Sequence, residues 1–523
     1  MAASEPILLA GDWRPAAAIR TYRATDPSTG RHRDTEWPVS DWSDVDAALD
    51  AATAAARELA ILPPTAIALF LERYAARIEA RAAELVTAAH AETGLALKPR
   101  LADVEMPRTL DQLRQAAAAA REGTWRMAMI DHAKNIRAAA SGLGPVVVFP
   151  PANFPFAYGA VTGGDFAAAI AAGNPVIAKA HEGHPSVSRL AAEEARAALQ
   201  ETGLPSATVQ LLHALDPADG ERLVADPRVG ATGFTGSQRA GEKLFRAASA
   251  AGRVIWVEMG SVNPVVLLPG ALTERGEAIA DELTASVTGS AGQFCTKPGV
   301  VFLVGDEAGR AFTTAVAGRF AAIGPQVLLG AAGCDRLVAS IGTLEAAGAR
   351  RLAGIAAASG PTSHVPVLLE VAGREVLARP EAFLVEAFGN ATLLVVCESL
   401  EELTLAVGCV HGSLGASLYA AKDGRDDNAF AAVAPLLVER AGRIIENRMP
   451  TGLGVVPSMQ HGGPWPSAGP PFFSAVGFPW TILRFARRMC YDGWSQSRLP
   501  EIVRDEPPSG SPWRYVDHAW TQG

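Results

Sequence analysis

Cysteine is scarce in this sequence, and the spacing of the few cysteines excludes two common frameworks. The five cysteines are odd in number and none belongs to a CxxC pair, so neither a disulfide scaffold nor a zinc ribbon is expected. The chain also lacks HExxH and GxSxG segments, which removes the usual support for zinc hydrolase or serine hydrolase chemistry. We therefore expect no metal cofactor.

Positive charge and long apolar runs are scarce too. Lysine and arginine number 46 against 55 acidic residues, which gives a formal net charge of −9 at pH 7. A nucleic-acid groove needs a surplus of clustered cations, so no nucleic-acid partner is expected. No segment offers about 18 apolar residues free of charge and proline, and residues 1–11 lack the basic start and apolar run of a signal peptide. The sequence predicts a cytoplasmic protein without a membrane partner.

What the sequence does have is a repeated alternation of short apolar runs and helical segments. With 523 residues, of which 49% are hydrophobic, the chain is too long for one core, and two or three packed units are expected. Strand–helix–strand order predicts an α/β fold whose parallel sheet binds a nucleotide at the carboxyl ends of its strands. No GxGxxG segment follows a strand, so a dinucleotide would bind without that fingerprint. The predicted strands are 144–151, 175–179, 208–212 and 229–232, and the predicted helices are 163–172, 187–201, 218–225 and 238–250.

The second half of the chain repeats this alternation. New strands are predicted at 264–268, 299–304 and 391–396, which indicates a second α/β unit beginning near Glu258. Alanine-rich helices are expected over 40–120. From about Gly462 the chain is rich in proline, glycine, tryptophan and phenylalanine, which favours a tail that wraps another surface.

Three polar residues are candidates for chemistry, each with an ordinary alternative. Cys295 lies in a loop of small residues, where a thiolate would be accessible, although a small buried side chain is the alternative. Glu258 ends an apolar strand, where partial desolvation would make its carboxylate a better proton acceptor unless a salt bridge occupies it. Asn153 precedes a proline-containing loop and is otherwise a turn residue.

Four short motifs, taken in order, give these residues a common context. They are Asn153-Phe154-Pro155, Gly233-Phe234-Thr235-Gly236-Ser237, Val257-Glu258-Met259-Gly260 and Gly292-Gln293-Phe294-Cys295. The ordered set resembles the aldehyde dehydrogenase superfamily, and the resemblance extends over nearly the whole chain. Within that superfamily, three segments together resemble the α-ketoglutaric semialdehyde (2,5-dioxopentanoate) dehydrogenase branch. They are Lys179-Ala180-His181-Glu182-Gly183-His184-Pro185, Ser261-Val262-Asn263-Pro264 and the tail His461-Gly462-Gly463-Pro464-Trp465-Pro466.

The resemblance implies NAD(P)-dependent oxidation of an aldehyde to a carboxylic acid. Cys295 would attack the aldehyde carbon, and the Asn153 amide with the Cys295 backbone N–H would stabilise the oxyanion. After hydride transfer a thioester would remain on the cysteine. Glu258 would then activate the water that hydrolyses it.

The resemblance also implies a set of residues that bind the cofactor. Gly236 and Ser237 would face the pyrophosphate at the start of a helix, although Ser237 is otherwise an ordinary N-cap. Glu182 would bond the ribose hydroxyls of NAD and repel the extra phosphate of NADP, so NAD is the predicted preference and NADP the alternative. The remaining implied cofactor residues are Lys179, Gly241, Glu386 and Phe388.

Four aromatic side chains are predicted to line the substrate tunnel, namely Phe156, Phe294, Trp465 and Phe473. A Rossmann-like cofactor domain is predicted over 1–121 and 142–257, a catalytic domain over 258–450, and oligomerisation segments over 122–141 and 480–523. The resemblance implies a homodimer or a homotetramer.

Two alternatives stay open at the level of the sequence. A CoA-acylating aldehyde dehydrogenase would pass the thioester to CoA and would need no hydrolytic base, which the presence of Glu258 argues against. A non-catalytic relative would be expected to have lost Cys295, Asn153 or Glu258, and all three are present. The substrate is expected to be a small-molecule aldehyde, for which a semialdehyde such as 2,5-dioxopentanoate is the candidate.

Overall fold

A computed structural model describes residues 4–354, 360–506, 510 and 512–522. Most of the chain is arranged around three large sheets, and the α/β architecture expected from the sequence is confirmed. Within the described ranges, no helix combines the length and apolarity needed to cross a membrane.

The first large sheet has eight strands. Its five central strands run parallel, and each of the three outer strands is antiparallel to its inner neighbour. Val146, Val147 and Ile177 are fully buried in it, as their continuous apolar runs predict for a sheet covered on both faces. In spatial order the strands are Asp12–Arg14, Ile7–Leu9, Val209–Leu212, Val176–Lys179, Val146–Phe149, Ala231–Thr235, Val254–Glu258 and Ala468–Gly469.

Helices of the first half surround this sheet and bury alanine-rich faces. Trp42–Leu59 begins at Asp41, whose side chain accepts from the Ser43 backbone N–H and so caps the helix. A nine-residue π-helical segment, Leu97–Glu105, leads into Met106–Glu122. The other helices are Pro64–Ala80, Ala82–Thr93, Gly164–Ala171, Pro185–Thr202, Pro217–Ala225 and Gln238–Ala250.

The second large sheet has seven strands, which are parallel except for the edge strand Arg350–Ala353. Next to it in order lie Val367–Ala372, Ala391–Cys397, Val300–Val304, Pro264–Leu267, Ser413–Tyr419 and Ala441–Glu446. The helices of this region are Pro269–Thr288, Glu307–Ala321, Ala331–Ala346, Gly373–Ala378, Pro380–Phe383, Leu400–Gly408 and Asp427–Arg440.

The third sheet has five strands and draws on two distant parts of the chain. In order they are Ala486–Asp492, Ile136–Gly142, Met129–Asp131, Trp513–Val516 and Ala519–Gln522. A smaller sheet joins Ala214–Leu215, Trp37–Ser40 and Ala18–Tyr22, and two short pairs join Thr25–Asp26 to Arg31–His32 and Gln326–Val327 to Ser363–His364.

The tail packs on the chain's own eight-stranded sheet and its helices. Trp256 Nε1 donates to the Arg484 carbonyl at 2.7 Å, and the Arg484 guanidinium pairs with buried Asp165 at 2.6 Å. Phe485 is fully buried. The tail therefore wraps part of its own chain.

Candidate active site

The loop that carries Cys295 follows the helix Pro269–Thr288 through a tight 3-10 turn, Gly289–Gly292. Gly292 has a φ of 68°, and a Cβ there would overlap the Gly389 carbonyl, so only glycine fits. Buried Asn263 donates its side-chain amide to the carbonyls of Cys295 at 2.7 Å and Lys297 at 3.1 Å. These contacts hold the loop so that Cys295 stays partly exposed.

The Cys295 sulfur contacts a histidine that in turn contacts Glu258. His461 Nε2 lies 3.3 Å from Cys295 Sγ and 3.0 Å from Glu258 Oε1. Burial lowers the pKa of His461, but the opposing effect of Glu258 and Cys295 is larger and raises that pKa to about 10. A protonated imidazole at this distance places a positive charge beside the sulfur atom that would act as the nucleophile.

Glu258 combines burial with free acceptor capacity. Its side chain is 8% exposed, and neither carboxylate oxygen accepts a hydrogen bond of acceptable geometry from any residue that the structure describes. The 3.0 Å contact with His461 is therefore an electrostatic one, and the lone pairs of the carboxylate remain available. A carboxylate in this state can accept a proton from a water molecule next to Cys295.

Two donors point to the region of the cysteine. Asn153 is buried, and its side-chain amide donates to the Gln293 carbonyl at 2.9 Å, which fixes the amide against the cysteine loop. The backbone N–H of Cys295 donates to no residue in the described part of the chain. This is the arrangement that an oxyanion hole needs, because a free donor costs no rearrangement when charge develops.

Cys295 opens into a cavity of about 530 Å³ at the carboxyl ends of the parallel strands. Lys179 Nζ lies 3.3 Å from Glu182 Oε1 on its wall. The Ser237 side chain accepts a hydrogen bond from the Ala240 N–H and so caps the helix Gln238–Ala250. This is the N-cap role that the sequence offered as the alternative to pyrophosphate binding. The predicted residues that line this cavity are Asn153, Lys179, Glu182, Gly236, Ser237, Glu258, Cys295, Glu386 and Phe388.

Gly241 lies outside this lining and packs under Met259, where a Cβ would come within 2.6 Å of the Met259 sulfur. Gly241 is therefore required for close packing under Met259 and does not line the cavity in which it was predicted to bind the cofactor.

The Glu386 carboxylate lies at the cavity wall, close to the backbone of Gly260. A Cβ at Gly260 would overlap this carboxylate, so the glycine leaves the space that Glu386 occupies. Burial raises the pKa of Glu386 to about 7, an effect that the charge of Lys297 reduces. Burial lowers the pKa of Lys297 to about 8.

A second cavity of about 380 Å³ also reaches Cys295. Arg108 enters it from the helix Met106–Glu122, where its guanidinium lies 5.2 Å from the Tyr158 ring centre and donates to the Tyr158 hydroxyl at 3.1 Å. Within the described ranges no acidic group lies within 4.0 Å of Arg108, whereas Arg100 in the same cavity pairs with buried Glu105. The cavity therefore contains one cation without a carboxylate partner.

Only one of the four aromatic residues predicted for the substrate tunnel lines this second cavity, and that residue is Phe294. Phe156 is fully buried among the core side chains, and Trp465 packs on Phe245 with its ring half exposed. Phe473 contacts Trp256 at a ring distance of 6.4 Å and lines neither large cavity. The aromatic wall is instead formed by Phe154, Tyr158 and Phe294.

His461 and Arg108 had no assigned role in the sequence. His461 lies 166 residues from Cys295 along the chain, so no local pattern connects the two. His461 does belong to the tail motif His461-Gly462-Gly463-Pro464, but that motif was used only to recognise the family resemblance. Arg108 belonged to a helical region without a distinguishing pattern.

Comparisons with known proteins identify the family of the chain. The model of the aldehyde dehydrogenase family matches residues 13–359. The chain is 38% identical to alpha-ketoglutaric semialdehyde dehydrogenase 2 of Azospirillum brasilense over 97% of both proteins. It is 34% identical to alpha-ketoglutaric semialdehyde dehydrogenase of Acinetobacter baylyi over 84% of both.

Solved structures show the same fold. Lactaldehyde dehydrogenase from Escherichia coli superposes with a TM-score of 0.80 at 22% identity, over 93% of this chain and 98% of that one. A mutant of aldehyde dehydrogenase C from Pseudomonas syringae, in complex with NAD+ and octanal, gives 0.79 at 20% identity over 95% and 98%. The chain belongs to the aldehyde dehydrogenase family and is an oxidoreductase that acts on aldehydes with NAD or NADP as the acceptor.

Proposed function

We propose that the chain oxidises a semialdehyde that carries a carboxylate at its far end, with NAD as the preferred acceptor. The observation that carries the proposal is Arg108, a guanidinium without an acidic partner in the cavity that reaches Cys295. Its Nε atom is buried and donates to no described residue. A planar guanidinium binds carboxylates through paired hydrogen bonds, so an acidic substrate would satisfy this group. The names of the two relatives from Azospirillum and Acinetobacter support the same substrate class.

The residues around Cys295 fit a dinucleotide. The N–H groups of Gln238 and Arg239, which begin the helix Gln238–Ala250, have no hydrogen-bond partner among the described residues and lie beside the cavity end that Gly236 and Ser237 line. At the other end Glu386 offers carboxylate oxygens to ribose hydroxyls, and Gly260 provides the space for it. When bound there, a nicotinamide would supply the acceptor for the hydride of the substrate carbon.

The chemistry of the chain then has two halves. The Cys295 thiolate attacks the aldehyde carbon, and the Asn153 amide with the Cys295 N–H stabilises the resulting oxyanion. Loss of hydride leaves a thioester on Cys295. Glu258 takes a proton from water, the water oxygen attacks the thioester carbon, and the C–S bond breaks to give the acid and a thiolate beside His461. Free acid formed without added CoA distinguishes this route from the CoA-acylating one.

Replacing Arg108 with methionine should selectively weaken turnover of acidic substrates. For a dicarboxylic semialdehyde we expect kcat/KM to fall about 30- to 1000-fold, equivalent to about 2–4 kcal/mol, because the substrate carboxylate loses its partner. For an uncharged aldehyde of equal length, kcat/KM should change less than about threefold. The measurement is NADH and NADPH formation over a panel of semialdehydes, aliphatic aldehydes and aromatic aldehydes.

Arg114→Met is the matched control, since Arg114 lies on the same helix and pairs with Glu79 on the surface. An equal loss for charged and uncharged aldehydes would contradict the role of Arg108. If no aldehyde reduces either cofactor, the proposed function itself is wrong.

Glu182 supports the preference for NAD. Its side chain is 56% exposed in the cofactor cavity beside Lys179, where a carboxylate would repel a ribose 2′-phosphate. NADP stays the alternative because Lys179, Lys243 and Arg336 line the same cavity and would attract that phosphate.

A Glu182→Ser variant is expected to raise kcat/KM for NADP about tenfold, which corresponds to removing about 1.4 kcal/mol of repulsion. The ratio of initial rates with NADP and NAD at subsaturating concentrations measures this. Glu242→Ser removes a carboxylate from the helix beside the cavity, where it pairs with Arg246, and should leave the ratio unchanged. A ratio that does not move in Glu182→Ser would remove the basis for the NAD preference.

The division into domains, the homodimer or homotetramer and the cytoplasmic location stay predictions. The division is supported by the strands of the eight-stranded and seven-stranded sheets, which fall mainly before and after Glu258. Assembly is supported by the five-stranded sheet, whose Trp513 and Trp520 side chains are about half exposed.

A further inference from the structure

Three side chains at the active site form a group that suits a metal ion. Cys295, His461 and Glu258 each offer one ligand atom, and these atoms all lie within 4.8 Å of one another. Elsewhere in the described ranges, no three His, Cys, Asp or Glu side chains come together in this way. We propose that this cluster binds a zinc ion and that the bound ion reversibly inhibits the enzyme.

The spacing of the ligand atoms is close to that of a tetrahedral zinc site. Zinc bonds of about 2.3 Å to sulfur and about 2.0–2.2 Å to nitrogen and oxygen place neighbouring ligand atoms about 3.4–3.6 Å apart. The observed separations are 3.3 Å between Cys295 Sγ and His461 Nε2, and 3.0 Å between His461 Nε2 and Glu258 Oε1. The third separation, between Cys295 Sγ and the Glu258 carboxylate, is at most 4.8 Å, so small side-chain rotations that equalise the three separations would admit the ion.

The state of the carboxylate is the second argument. Both oxygens of Glu258 are buried and accept no hydrogen bond of acceptable geometry from the residues described, so their lone pairs are unused. His461 and Glu258 are nearly inaccessible, whereas Cys295 borders cavities of about 530 and 380 Å³. An ion would therefore have three protein ligands and an open fourth position for water.

The ligand types determine which ion is favoured. Thiolate and imidazole suit zinc, whereas magnesium and calcium prefer oxygen ligands alone. Binding needs a thiolate and a neutral imidazole, so the proton that the Cys295–His461 pair holds is released to solvent.

Inhibition follows from the same contacts. A sulfur bound to zinc cannot attack an aldehyde, and a Glu258 carboxylate bound to zinc cannot accept a proton from water. This consequence rests on the proposed function of Cys295, whereas binding of the ion does not. Zinc would here act as an inhibitor and not as a cofactor, so the proposal is compatible with the expectation that the enzyme needs no metal.

The experiment measures binding and turnover separately on the full chain. Zinc is titrated into the cofactor-free protein in competition with a chromophoric chelator, and NADH formation is followed at buffered free zinc concentrations. We expect one zinc ion per chain, inhibition that EDTA reverses, and no inhibition by magnesium. Cobalt should give a thiolate charge-transfer band.

Two variants test the ligands. Cys295→Ser and His461→Gln should each weaken zinc binding at least about tenfold, and Cys295→Ser should lose the charge-transfer band with cobalt. Cys490→Ser removes an exposed cysteine and should bind zinc as the parent does. Thermal unfolding midpoints close to that of the parent show that the variants are folded.

Zinc binding of equal strength in the parent and in Cys295→Ser would overturn the proposal, as would turnover that zinc leaves unchanged. Zinc binding at Cys295 in a protein that oxidises no aldehyde would instead contradict the proposed function. The two failures are therefore distinguishable.

Discussion

A Cys295→Ala enzyme is expected to form NADH from aldehydes about ten-thousand-fold more slowly than the parent, or not measurably. Alanine removes the sulfur atom that lines the two cavities, and the other residues described in their lining include no second thiol that could form a thiohemiacetal there. Steady-state kcat for a saturating aldehyde measures the effect. Binding of NAD, followed by fluorescence, should change little because the proposed cofactor contacts lie along the rest of the larger cavity.

Cys334→Ala is the matched control. Cys334 is a partly buried cysteine on the helix Ala331–Ala346, and it packs against the core of the seven-stranded sheet. This variant should retain the parent's kcat. Comparable turnover by Cys295→Ala and the parent would disprove covalent catalysis at this residue.

Glu258→Gln should separate the two halves of the reaction. The amide keeps the shape of the side chain but cannot take a proton from water, so steady-state turnover should fall about 100- to 10,000-fold. The first half does not use Glu258 as a base, although loss of its charge lowers the pKa of His461, so this half should slow much less than hydrolysis of the thioester. A rapid burst of up to one NADH per active site should therefore precede the slow phase, and mass spectrometry should detect the thioester on Cys295.

His461→Gln should have the opposite kinetic signature. Its amide can still donate a hydrogen bond but cannot carry the positive charge that His461 holds between Cys295 and Glu258. We expect the burst itself to slow, together with alkylation of Cys295 by iodoacetamide at neutral pH. Glu398→Gln, which alters an exposed carboxylate, should change neither phase. A full-rate burst in His461→Gln would show that the histidine does not assist the thiolate.

The sequence predicted the parts of the site that lie at the ends of regular elements. Gly236, Ser237 and Glu258 follow or end short apolar strands, and parallel pairing brings such ends to one edge of a sheet. The geometry of that edge depends on backbone pairing and little on the side chains in between. Their positions could therefore be predicted from local patterns.

Other positions depended on long-range packing that no local pattern contains. Phe156, Trp465 and Phe473 are large and apolar, but their size does not determine whether they face a cavity or the core. His461 reaches Cys295 only because the tail folds back along the strand Val254–Glu258, with which Ala468–Gly469 pairs. Sequence reasoning can propose such contacts from a family resemblance, but it cannot derive them from periodicity.

The two large cavities share one lining residue, Cys295. The side chains that would select the aldehyde, such as Arg108 and Tyr158, are therefore a different set from those that would select the nucleotide, such as Glu182 and Lys179. A mutation in one set leaves the other wall intact. Natural variation or protein engineering can accordingly exchange the aldehyde while the nucleotide preference is inherited unchanged, and the reverse exchange is equally accessible.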